Sequence, residues 1–262
     1  MTPLSFDYPI SVAILYYGGA SGDLQDTEES VLGIEESLEE QGHMVRTVQV
    51  NKKNWRKAVR VPGEVVFNLV EDEDWELYYK VGVRLEELGR AQVGHDMRCF
   101  NYMSKVRVKR RMRNQGISTP SFRVFNRRTR VAEIRGMEYP LIVKPSGQHA
   151  GIGISQDSVV IDKKELVERA KYLFKTYPGE VIAEEFVDGR EMHLTVIGNG
   201  KRIVALPCSE VVFGGEFDDN WNVYTYEAKW DESSWEYWDA RVYSPVRVSK
   251  ALDKRLEKLA LA

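Results

Sequence analysis

Apolar and polar positions change their period along the chain, and the first third alternates two rhythms. Ile10 to Tyr17 is an apolar run entering Gly18-Gly19-Ala20-Ser21-Gly22, as a buried parallel strand enters a turn. Val31, Ile34 and Leu38 then share one helical face, with Asp26 and Glu29 at capping spacing and Gly42 as the stop. Val45 to Val50 and Val65 to Leu69 read as further strands, and a charged helix is predicted from about Trp75 to Glu87. This βαβ rhythm predicts a small parallel sheet wrapped by helices, with strand-end loops free to hold ligands.

From Asn101 the pattern shifts. A strongly basic segment, Lys105 to Arg113, ends at Gly116, and strands are predicted over Phe122 to Phe125 and Leu141 to Pro145. Leu166, Val167, Ala170, Leu173 and Phe174 mark a helix opened by Asp162 and Glu165, followed by a strand over Val181 to Val187. The last third reads as β-rich: Met192 to Ile197 and Arg202 to Leu206 flank Gly198-Asn199-Gly200 as a hairpin. Val248 to Ala262 carries an amphipathic helical pattern.

Composition narrows the class. The 262 residues are 43% hydrophobic and 29% charged with a net charge of -3, the balance of a soluble globular protein without a global pull towards polyanions. No apolar run reaches the ~18 residues of a membrane span, and Met1 to Pro9 has no signal-peptide pattern, so a cytoplasmic protein is expected. Cys99 and Cys208 have no ligand spacing and read as idle thiols. The basic helix could meet nucleic-acid phosphates, but a solvated face is the favoured reading, so no nucleic-acid partner is expected.

Three segments carry candidate chemistry. Lys144 closes a strand and precedes Ser146-Gly147-Gln148-His149-Ala150-Gly151-Ile152-Gly153, small residues that let amides approach phosphate oxygens beside a neutralising amine. The spacing is neither Walker nor Rossmann, and a plain hairpin with an exposed lysine explains this segment equally well. Glu184-Glu185-Phe186-Val187 followed by Glu191 offers main-chain groups for a base and a carboxylate for ribose hydroxyls; the bland alternative is an acidic strand end. Lys229 sits among Tyr224, Tyr226 and Trp230, which restrict its rotamers, and a lysine snorkelling on a β-edge is the alternative.

In this order, and with Met103 to Lys109, Gly116 to Pro120 and Tyr226-Glu227-Ala228-Lys229, these segments resemble the ATP-grasp superfamily, and within it the D-alanine–D-alanine ligases. The resemblance implies an α/β fold: a Rossmann-like N-terminal domain (1–98), then an ATP-grasp fold of two α+β subdomains (99–187 and 188–262), the last incomplete. It implies an ATP-dependent carboxylate–amine ligase acting through an acyl phosphate on small amino-acid or carboxylate substrates, with a homodimer as a possible assembly. The non-catalytic alternative is a nucleotide-binding relative. Lys105, Lys144, Ser146, Gly151 and Gly153 match the phosphate-binding positions, Glu184, Glu185, Phe186 and Val187 the adenine linker, and Glu191 the ribose carboxylate. Lys229 matches the lysine near the transferred phosphoryl group, and Asp23 stands near where the family holds the amine of its first substrate.

The departures from the family pattern fall mainly on the substrate side. The Ser and Tyr with which the ligases tie the phosphate loop to the lysine motif correspond to Gly151 and Trp230, which cannot rebuild a hydroxyl pair. D-alanine as substrate does not follow. The resemblance puts the Mg2+ ligands beyond residue 262, so the chain is expected to be C-terminally incomplete and inactive alone.

Overall fold

Strands apolar on both faces must be covered on both sides, and β1 shows how. The computed structural model describes residues 8–18, 24–72, 75–94, 96–129, 131, 135–200 and 202–261, in two compact units, Met1–Asn101 and Tyr102–Ala262. The first unit runs β1 (Ser11–Tyr17), α1 (Leu24–Glu40), β2 (Met44–Val50), α2 (Trp55–Ala58), β3 (Val65–Leu69), α3 (Glu76–Glu87), β4 (Ala91–Val93). Its sheet is parallel, in the order β2-β1-β3-β4. Alternation along β1 sends Ala13 and Leu15 into a core with Val50, Val81 and Leu85, and Val12 and Ile14 into another with Val31, Ile34 and Leu38. Gly42 ends α1 in the left-handed region, φ +83°, and its amide and that of His43 donate to the carbonyls of Glu39 and Leu38 at 2.8 and 3.0 Å. The glycine-rich turn after β1 lies, apart from Gly18, outside the described residues.

The second unit runs α4 (Lys105–Asn114), β5 (Phe122–Phe125), β6 (Leu141–Pro145), β7 (Val159–Val160), α5 (Lys163–Thr176), β8 (Val181–Glu185), β9 (Glu191–His193), β10 (Val196–Asn199), β11 (Arg202–Ala205), β12 (Ser209–Phe213), α6 (Tyr226–Trp230), α7 (Trp235–Asp239), β13 (Ala240–Tyr243) and α8 (Lys250–Ala260). An antiparallel sheet in the order β5-β8-β6-β7 has two unlike faces. One carries Phe125, Leu141, Val143, Val181 and Ala183 against Leu166, Ala170 and Leu173 of α5. The other carries Phe122 and Ile182 against Val106 of α4. Asp162 caps α5, accepting from the Glu165 amide at 2.9 Å.

Several elements differ from the reading of the pattern. β8 ends at Glu185 rather than Val187. The single strand expected over Met192 to Ile197 divides into β9, which pairs with β12, and β10, which pairs with β11, so one stretch of chain serves two sheets. The Lys229 segment is helical rather than a β-edge, because buried Thr225 caps it by accepting from the Ala228 amide at 2.9 Å. α7, opened by the Ser234 side chain, had no apolar period to announce it.

Candidate functional site

The face of the antiparallel sheet that meets α4 carries the charged residues. In the β6–β8 register Ile142 faces Glu184 and Lys144 faces Ile182, so Lys144 and Glu184 are diagonal neighbours on one face. Their side chains form an ion pair. Glu184, only 6% exposed, also pairs with Lys109 Nζ at 2.7 Å. Burial alone would raise the Glu184 pKa, but Lys144 and Lys109 outweigh it and hold the carboxylate below its ordinary range. On α4, Lys105 and Lys109 stand one turn apart and both turn inwards. Lys109 also donates to Thr119 Oγ1 at 2.8 Å, and Lys105 Nζ donates to the carbonyl of Gln148 in the glycine-containing loop.

Amines outnumber carboxylates here. Burial, with Lys144 and then Lys229 nearby, lowers the Lys105 pKa to about 8 despite the attraction of Glu184. Burial also lowers the Lys229 pKa, with Glu191 opposing. The Lys229 ammonium lies 4.7 Å above the centre of the Tyr224 ring, the aromatic restraint expected of it. Three amines, Lys144, Lys109 and Lys105, thus stand around one buried carboxylate, with Lys229 near Lys105 and Glu191 beside Lys229. A partly desolvated excess of positive charge beside the glycine-containing loop is suited to a polyanion such as a phosphate chain. His149, half-buried, has its pKa lowered by burial and then by Lys105, so it adds no charge at pH 7.

The loop between β6 and β7 is braced at several points. Ser146 is buried, its amide donating to Glu180 and its carbonyl accepting from the Lys105 amide. Gly151 has φ +83°, and a Cβ there would stand 3.1 Å from the Tyr226 backbone; Gly153 has φ +74°, with a Cβ 2.7 Å from Pro145. The loop is tied to α6 by the Tyr226 amide donating to Ile154 O at 3.1 Å and by Trp230 Nε1 donating to Ala150 O at 2.7 Å. A tie therefore exists without the hydroxyl pair: the indole, a donor only, uses a backbone carbonyl. From behind, buried Arg169 donates to Gly153 O at 2.9 Å and Ser158 Oγ at 2.7 Å. Lys109 falls in the stretch Met103 to Lys109 that carries the resemblance, one turn after Lys105, whereas Arg169 carried no motif of its own.

The linker runs on from Glu184. The amides of Glu185 and Phe186 donate to Ser121 and Pro140 carbonyls at 3.0 Å each, and Val187 follows, 68% exposed. The Phe186 ring meets Trp221 edge to face at 5.4 Å. Lys105, Lys144, Ser146, Gly151, Gly153, Glu184 and Lys229 thus gather around one loop and one sheet face, with Glu191 brought to Lys229. Asp23 lies outside the described residues. Among the described residues no three His, Cys, Asp or Glu side chains converge, so these residues offer no all-protein cage for a metal ion. No described helix is long and apolar enough to cross a membrane.

The family model for the D-ala D-ala ligase C-terminus matches residues 112–262, more than half of the chain. The chain belongs to this family. At the level of whole sequences, this D-ala D-ala ligase family member is 30% identical over 237 residues to the D-alanine–D-alanine ligase of Marinomonas sp., covering 87% of this chain and 70% of that protein. It is 28% identical over 224 residues to the enzyme of that name from Bordetella pertussis, covering 84% and 67%. The fold is that of the D-alanine–D-alanine ligase of Bacillus anthracis complexed with ATP (TM-score 0.69, 19% identity, 96% of this chain and 76% of that one). It is equally that of the VanG D-Ala:D-Ser ligase of Enterococcus faecalis (TM-score 0.70, 21% identity, 97% and 81%). This is the ATP-grasp architecture.

Proposed function

We propose that the second unit binds ATP and serves an ATP-dependent ligase that joins a small carboxylate to an amine. The observation that carries this reading is the convergence of Lys105, Lys144 and Lys229 on the loop 146–154, over a buried carboxylate that pairs with Lys144 and with Lys109. Membership of a family whose named relatives are D-alanine–D-alanine ligases supports the reaction class. When bound, ATP supplies a γ-phosphoryl group to a carboxylate, and an amine displaces phosphate from the resulting acyl phosphate.

The chain's own part in this is electrostatic and positional. Lys144 and Lys105 neutralise phosphate oxygens held by the loop amides. Glu184 fixes Lys144, so that its ammonium is already in place when the anion arrives. The amides of Glu185 and Phe186 are spent within the fold, which makes the Val187 amide the linker donor for adenine, with Glu191 placed for the ribose. Lys229, carried on the capped helix α6, meets the transferring group. Small amino acids are the substrate class; the family likeness bears on the nucleotide half and leaves D-alanine undetermined.

Isothermal titration of the full chain with ATP and ADP tests the nucleotide half. Lys144→Ala removes a charge-assisted contact of about 1.5–3 kcal/mol, weakening the affinity by tenfold or more. A folded chain without nucleotide binding sinks the proposal. For the ligase half, phosphate release from ATP is followed over a panel of paired small amino acids, and acceleration by one pair identifies the substrates.

A further inference from the structure

Residues 105–135 hold eleven Lys and Arg against one carboxylate, Glu133, in a chain whose net charge is -3. The structure sorts these cations by type. Both lysines of α4 turn into the candidate site, whereas Arg110 and Arg113 of the same helix are exposed. Arg123 is exposed on β5, the edge strand of its sheet, and Arg127 and Arg128 are exposed in the turn that follows. Arg113 lies 4.2 Å above the Phe122 ring of β5, which joins the helix surface to the strand edge. The turn is fixed: Asn126 Oδ1 accepts from the Arg128 amide at 2.9 Å, and Thr129 Oγ1 accepts from the Asn126 amide at 3.0 Å. Among the described residues none of these five arginines pairs with a carboxylate.

We propose that the exposed face of α4 and the β5 edge with its turn form a docking surface for the phosphodiester backbone of a nucleic-acid duplex. The reading differs from that of the helix taken alone, because the strand and turn extend the charge beyond it. Guanidinium groups match phosphate bidentately, and five exposed ones on a helix of about 15 Å, the adjoining strand edge and its turn, without a carboxylate partner among the described residues, suit several phosphates rather than one ion. The aromatic residues of β5, Phe122 and Phe125, are buried, so no stacking platform for single-stranded bases is offered. Val108 is the only large apolar side chain exposed on α4 among the described residues, which leaves no anchor for a membrane interface. Contacts of this kind read backbone charge without base sequence.

The test is fluorescence anisotropy of the full chain with labelled 24-base-pair RNA and DNA duplexes. Five phosphate contacts predict that affinity falls ~500-fold between about 50 and 200 mM salt. The variant R110Q/R123Q/R127Q/R128Q, which keeps Arg113 on Phe122, is expected to reduce that fall to ~4-fold. The RNA and DNA arms separate the two sources of the same chemistry. Absent binding at low salt, or binding that the variant leaves unchanged, overturns the proposal. So does capture by phosphatidylglycerol vesicles without capture by either duplex. Nucleotide binding by the same variant is read separately, so failure of the ATP reading and of this one are distinguishable.

Discussion

Lys105 titrates where few lysines do. Burial and two neighbouring amines lower its pKa to about 8 from 10.5. An anionic nucleotide favours the charged amine, so binding near pH 8 should draw a proton from solution. The affinity for ATP is therefore expected to fall as pH rises through about 8, by about tenfold between pH 7 and 9 for this one group. Titration calorimetry in buffers of different ionisation enthalpy measures the proton uptake, and a pH-independent affinity with no uptake excludes the role of Lys105. The sign for folding is opposite: the unfolded amine holds its proton up to 10.5, so this group makes the ligand-free protein more stable as pH climbs from about 8. Lys105, Lys144 and Lys229 could be picked out by their motifs; Lys109 shares the stretch of Lys105, Arg169 has no motif, and neither of these two showed its partner in the sequence. Their roles depend on Glu184 and on the Gly153 carbonyl, partners 75 and 16 residues away in sequence.

At the scale of elements, the loop after β6 and the helix α6 act as one piece. Trp230→Phe keeps the ring and deletes its donor to Ala150, a loss of about 1 kcal/mol. Amide exchange in residues 147–153 is expected to speed up by about fivefold, and unchanged protection would show that the indole tie does not hold the loop. Gly151→Ala should cost about 1–3 kcal/mol, from the left-handed φ and from crowding of the Tyr226 backbone, and is read by thermal or denaturant unfolding. Most element positions were legible because strand alternation and helical period reflect burial directly: β3, β5 and β6 have their expected bounds. The helical state of Lys229 was not, since a five-residue helix has no period to display and depends on the buried Thr225 cap, which itself donates to Glu236.

For the molecule as a whole, ligand and fold are linked. ATP at about 100 times its dissociation constant should stabilise the second unit by about 2.7 kcal/mol, and Lys144→Ala, at a tenfold loss of affinity, should forfeit about half of that shift in differential scanning calorimetry. Phe125→Ala, in the core between α5 and the sheet, should cost about 3–5 kcal/mol with or without nucleotide. The sequence by itself determined the βαβ unit, the apolar faces of the antiparallel sheet and the order of the lysine and glutamate motifs, because these follow from local periodicity and spacing. Only the tertiary structure decided which cations serve the candidate site and which face solvent. A side chain's charge is written in the sequence, but its desolvation and its partners come from strands and helices brought together over long separations.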